Sequence, residues 1–346
     1  MSPNYLTYCL FVLTCFILLT LPFIPAFSEW LRPTDLASLP IAVNYSSQTD
    51  YFAKRLHADV AAKSGLGLST GYEDFDYVMD RIENMNWTSG KKRLISPSSI
   101  DSPIPIRTSQ ALYVAGDIRT VGGSSFNALY ADGDIILGSR SEVLDWAHAT
   151  GTLRLGQDCV ALRRISADVA IELDNEVWFE RLQAPTLRFG SNKLHKFETS
   201  SINQAEGSFS DLPNAKRQTA NLHIVRGDCT LPSNTIYRGS LIVTGFLTIG
   251  SRTTVIGDIK ARGGASVGSS ACVQGAITCE KRVYIYKNAS AYGPIVAETD
   301  VLVGVNAVIG LPKHPTTITA RNIILESGSI AHGTVWAREI GMVKTA

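Results

Sequence analysis

Three histidines are the residues whose type best suits chemistry. His148, His314 and His332 each carry an imidazole that can take a proton near neutral pH. No carboxylate stands beside them at a suggestive spacing, and each reads more simply as a surface or corner histidine. The six cysteines, Cys9, Cys15, Cys159, Cys229, Cys272 and Cys279, include no C-x-x-C pair, so neither a zinc site nor a redox motif is indicated. They are too few for a disulfide scaffold and read as small apolar residues. No P-loop, Rossmann glycine pattern, H-E-x-x-H or G-x-S-x-G occurs in a convincing context. No cofactor or metal is expected. Asn44, Asn86 and Asn288 match glycosylation acceptors by chance.

Charge narrows the partners. The chain has 32 Lys and Arg against 31 Asp and Glu, a formal net charge of +1. Binding to phosphate backbones needs a concentrated basic surface. The longest basic cluster is Lys91-Lys92-Arg93, a solvated loop. Nucleic acid is therefore not an expected partner.

The elements that must position any site are set by a six-residue period. Stepping by six from Ile249 gives Val255, Ala261, Val267, Val273, Cys279, Ile285, Ala291, Ala297, Val303 and Ile309, all apolar. Eleven in succession in one phase has a chance on the order of one in ten thousand. Two residues earlier, Leu247, Thr253, Ile259, Ala265, Ala271, Ile277, Val283, Ala289, Ile295, Val301 and Ala307 form a second phase, apolar but for Thr253. Two inward positions separated by one residue are the alternation of a short strand. Gly239, Gly257, Gly275, Gly293 and Gly310 recur at 18 or 17, and Gly250, Gly268 and Gly304 fit another 18-residue series with Tyr286 in the empty slot. Three strands and three bends close a triangular coil, with glycine suited to the bends. Coils then stack by parallel pairing.

The preceding part is less regular. Phe126, Val143, Val160 and Val177 are 17 apart, and Gly116, Gly133, Gly151, Asp168 and Pro185 mark corners at 17 or 18. Inward pairs are Ile118 with Thr120, Ile135 with Leu137, Leu153 with Leu155, and Leu187 with Phe189. The expected solenoid parts are residues 109–190, with four to five coils, and 223–340, with about six. Residues 191–222 are a polar insertion or linker without the pattern. It either projects from one continuous solenoid or joins two, and the matching coil lengths favour one.

Residues 1–28 carry no charge, and 5–27 are almost wholly apolar. About 20 apolar residues span a bilayer core, so a transmembrane anchor is expected, with Leu10, Phe11, Phe16, Ile17, Leu18 and Leu19 facing lipid. A cleaved signal ending at Ala26-Phe27-Ser28 competes, but the basic n-region is missing. Arg32, Lys54 and Arg55 follow the span, which places the body in the cytoplasm. Residues 29–108 are a juxtamembrane connector. A helix is expected over 50–63 with Phe52, Leu56, Val60 and Ala61 on one face, and a second over about 72–84.

The fold class is therefore all-β: a triangular parallel β-helix with 17–18-residue coils, preceded by one transmembrane helix and a short helical connector. Gly257-Asp258-Ile259, Val267-Gly268, and Ala271 with Val273 and Gly275 carry a resemblance. It returns at Val283, Ile285, Ala289, Gly293 and Ile295, and again at Val301, Val303, Gly304, Ala307 and Gly310. This pattern resembles the bactofilin family of polymer-forming bacterial cytoskeletal proteins over about 120 residues. The resemblance implies a β-helix that assembles end to end without nucleotide and a non-enzymatic scaffold in the cell envelope. It also implies residence at the bacterial inner membrane and, as partners, the membrane, other copies and envelope-assembly membrane proteins. A cap over either end would block such assembly. Lys260, Thr278, Tyr284, Leu302 and Val308 face outward by phase and are the candidate interaction surface. A rival resemblance is to hexapeptide-repeat acyltransferases acting on an envelope sugar or lipid, in which one of the three histidines would be the base.

Overall fold

In a computed structural model, residues 3–24, 48–64, 75–78, 92–190 and 204–345 are described. The chain divides into two compact units, 1–47 and 48–346.

In the first unit the expected transmembrane helix is not found. The apolar run folds as α1, Pro3–Thr20, closed by a 3-10 turn at Leu21–Phe23. Among the described residues no helix is long and apolar enough to cross a membrane. Two causes combine. Pro22 lacks the amide that would continue the α-helical ladder, and 18 residues rise only about 27 Å against a hydrocarbon core of about 30 Å. Thr14 and Thr20 also turn their hydroxyls back on the carbonyls of Leu10 and Phe16, at 2.8 and 2.9 Å. The expected anchor residues Leu10, Phe11, Phe16, Ile17, Leu18 and Leu19 lie exposed on α1. Placement as a single-pass inner-membrane protein with a cytoplasmic body falls with the missing span.

The second unit is a three-sided β-solenoid of about 14 turns. All twenty-two residues of the two six-residue series, Leu247 to Ile309, are buried. So are the inward pairs from Ile118 to Phe189. Each strand pairs in parallel with the one a coil later, as in Ile259 with Ile277 and Ile277 with Ile295. Burying each inward Val, Leu or Ile stabilises by about 1.5–3 kcal/mol.

The first solenoid begins earlier than expected. Phe75–Tyr77, inside the helix expected over about 72–84, is a strand and pairs with Arg93–Ser96; residues 72–74 and 79–84 of that expected helix lie outside the described residues. The expected 17-residue series also slips. Thr108 pairs with Phe126, 18 on, but Ala111 pairs with Ala128, 17 on, because one residue is dropped at the bend. After Val143 the inward partner is Ala161 and not Val160, whose side chain faces outward.

The two solenoids run in opposite directions. The last strand of the first, Trp178–Phe189, pairs antiparallel with the last strand of the second, Ile330–Lys344. Leu182 sits opposite Val335, and Ala184 opposite Gly333. Both C-terminal ends are consumed in this junction, and one continuous core runs from Val78 to Val343. The expected single solenoid is therefore two opposed ones. At the far end of the second, Ala215–Thr219 pairs antiparallel with Leu222–Val225. Phe209 there is buried and stacks on Tyr237 with centroids 4.9 Å apart. Phe209 and Ala215–Thr219, expected in a polar insertion or linker, cap that end.

The corners are built from two residue types. Left-handed backbone falls on Asn234, Arg252, Ser270, Asn288 and Asn306, 18 apart, with φ of 55–59°. The glycine column has another reason. A Cβ on Gly275 or Gly293 would strike the backbone of the glycine one coil earlier. Asp258 then accepts the amide of Ala276 at 2.9 Å, and Asp134 that of Thr152 at 2.7 Å. Gly275→Ala should therefore cost about 2 kcal/mol or more, because the coils must move apart, while Asn288→Gly should stay within about 1 kcal/mol. Thermal unfolding of the two variants checks this; equal losses would refute the close-approach account.

Candidate functional site

The first solenoid carries aromatic residues where a solvent face should be polar. Tyr113, Tyr130 and Trp146 point outward from successive strands, yet each is buried. They are covered by α2, Tyr51–Ser64, whose Ala53, Leu56 and Val60 pack on them. Phe52, expected on that buried face, is instead exposed and lies under the Arg164 guanidinium, 4.9 Å from its ring centre. The spacing of Ala53, Leu56 and Val60 fits one helical face. Asp59 on the outer side reaches Arg93 at 3.0 Å.

Beneath the start of α2 the stacked rings continue as a ladder. Tyr113 and Tyr130 stack at 5.1 Å and 6°, His57 of α2 lies on Tyr130 at 5.4 Å, and His148 follows Tyr130 at 5.5 Å. The Tyr113 hydroxyl donates to Asp132. Burial, then this carboxylate, pushes the Tyr113 hydroxyl's pKa well above its ordinary value.

His148 is the one predicted histidine that faces a cleft. It is 2% exposed. Its Nδ1 is 2.8 Å from Ser166 Oγ, and its Nε2 is 3.8 Å from Asp168 Oδ1, beyond hydrogen-bond length. Burial pulls its pKa below the ordinary 6.5, against the opposing pull of Asp168 and Asp50. The ring is therefore neutral at pH 7 and able to accept a proton. Asp168, placed in the sequence only as a corner marker, is the carboxylate that spacing did not reveal.

The cleft has a volume of about 620 Å³. Asp50, just before α2, and Lys54 of α2 form one wall, and His148, Ser166 and Gln183 form the floor. Pro312, Pro315 and Thr317 of the second solenoid form the opposite wall. Gln183 Oε1 accepts the Thr49 amide at 3.2 Å, tying the chain before α2 to the junction. Asp50 is 8% exposed; Lys54 holds its Oδ2 at 2.5 Å. Its Oδ1 and the Thr49 hydroxyl are buried without a hydrogen-bond partner among the described residues.

The other histidines do different work. His332 is buried at the junction, with Nδ1 donating to the Pro185 carbonyl at 3.0 Å and 3.4 Å from Thr186 Oγ1. It fastens the two solenoids together. His314 is exposed in a turn whose backbone it closes with Leu311. The three histidines do not form one constellation. Among the described residues no group of His, Cys, Asp or Glu could hold a metal ion. Burial raises the thiols of Cys159, Cys229, Cys272 and Cys279, the last to about 12, so they are unreactive at neutral pH.

The candidate surface residues fall on three faces. Lys260 and Thr278 are neighbours on one, Tyr284 and Leu302 on a second, and Val308 on the third. The second face carries more than was expected. Val160, Trp178, Met342, Ile324, Leu302 and Tyr284 follow one another rung by rung. Each is half-buried or exposed. The stripe crosses the junction, so no single stretch of sequence displays it.

The chain was compared with protein-family models, curated proteins and solved structures. None of them matches it.

The pH dependence of His148 has a definite sign. Its pKa is lowered in the folded chain, so the unfolded chain binds the extra proton. The stabilisation is full above about 6.5 and is lost as pH falls through the lower folded value. His148→Gln should flatten the fall in melting temperature between about pH 7 and pH 5. An unchanged slope would exclude His148 as its source.

Proposed function

We propose that this chain is a non-enzymatic scaffold, bactofilin-like in its corner pattern, whose copies associate side by side. The observation that carries the reading is the six-residue apolar stripe from Val160 to Tyr284. Its occupant is a second copy, because the stripe is self-complementary about a twofold axis. Rotation about the midpoint between Met342 and Ile324 sets Met342 on Ile324, Trp178 on Leu302, and Val160 on Tyr284. Every residue then meets an apolar or aromatic partner over about 24 Å, five strand spacings.

The ends of the solenoid support lateral over end-to-end contact. Both C-terminal ends are spent on each other within the chain. The N-terminal end of the second solenoid is closed by Ala215–Thr219, an antiparallel strand bearing Lys216 and Arg217. Charged edge strands resist further pairing. The corner resemblance supplies the scaffold role.

Sedimentation of the full chain tests the proposal. Wild type should form oligomers whose size grows with concentration, and the double variant Leu302→Lys with Ile324→Lys should sediment as a monomer. A wild type that stays monomeric at all concentrations overturns the reading, as does assembly that ignores the double variant. Acyl-CoA turnover abolished by His148→Gln would replace it with the acyltransferase reading.

A further inference from the structure

Independently of self-association, we propose that the cleft beneath α2 binds a neutral, hydroxyl-rich ligand the size of a mono- or disaccharide. The volume, about 620 Å³, lies within the range of small-molecule sites.

The class of ligand follows from what the deep part of the cleft lacks. Asp50 is buried, and its charge is already balanced by Lys54 at 2.5 Å. Its Oδ1 still has no hydrogen-bond partner among the described residues. A buried polar atom is costly to leave unpaired. The missing group is therefore a hydrogen-bond donor and not a second cation. A hydroxyl supplies that donor and, unlike an ammonium, can also accept from a neighbour. Asp168 is exposed enough for water to screen its charge, its side chain being 58% accessible.

The rest of the lining suits several hydroxyls at once. Ser166, Gln183 and Thr317 present polar groups, while Pro312 and Pro315 present apolar ring surface. Sugars carry both kinds of face. The walls belong to α2 and to both solenoids, so a bound ligand would bridge the junction that His332 fastens.

Saturation-transfer NMR on the full chain, with glucose, N-acetylglucosamine and ethanolamine as probes, tests this. Transfer to at least one sugar is expected on wild type. Asp50→Leu should weaken it by about tenfold or more, and Thr317→Trp, which fills the cleft without touching α2, should abolish it. Circular dichroism establishes that both variants fold. Absence of sugar transfer on wild type overturns the proposal, and so does transfer that survives both variants. Binding of ethanolamine with both sugars silent also overturns it, because charge would then be the recognised feature.

Discussion

The distance between stacked strands governs this molecule. Parallel rungs lie about 4.8 Å apart, and each coil must present two inward side chains per face to the coil below. At that spacing the bends have no room for a side chain pointing along the axis. The column Gly257, Gly275 and Gly293 follows from this, each glycine lying against the backbone of its predecessor's coil. The polar groups freed at the bends are then bonded along the axis, as Asp117 does for Asp134 at 2.8 Å and Asp228 for Phe246 at 2.7 Å. Core, corner and corner hydrogen bond are three consequences of one translation.

A solenoid built this way ends in unpaired backbone. Here the chain joins two solenoids by their C-terminal ends, so each edge satisfies the other. The polar stretch after Gly190 makes this topology reachable. The strand Ala205–Gly207 pairs with Thr235–Tyr237 at the far end of the second solenoid. Seven rungs measure about 34 Å, and 15 residues can span at most about 50 Å. A loop of a few residues could not return the chain to that end.

The second solenoid was legible because its six-residue phases are unbroken from Leu247 to Ile309. The first was legible as a class but not in register, since the residue dropped near Ala111 is regained between Val143 and Trp146, and this moves Val160 to the outside. Strand direction was not legible at all. Alternation of inward and outward residues is the same whichever way a strand runs, so Trp178–Phe189 gave no sign of its antiparallel partner. The helix cover could have been read. Tyr113, Tyr130 and Trp146 at outward positions are unsuited to a solvent face. The N-terminal run misled because apolar composition sets hydropathy, while Pro22 and the length of α1 set whether a span forms.

The cleft sits where the repeat is broken. From Ile295 to Ile318 the coil takes 23 residues, and from Val308 to Ile330 it takes 22, against 18 from Ile277 to Ile295. The extra residues form the turn of Leu311 to His314, which raises Pro312 and Pro315 into a wall. The regular coil has no such projection, and its flat faces offer little concavity. A lengthened coil costs little closure entropy, so it is retained without benefit to the core. Opposite it, Asp50 at the entry to α2 brings a buried carboxylate to the same place, at a cost in desolvation that an apolar residue would avoid. Two independent departures from the repeat converge on one concavity, and local rules are broken chiefly where a site requires it. In this chain the period specifies the coils, and its interruptions shape the concavity.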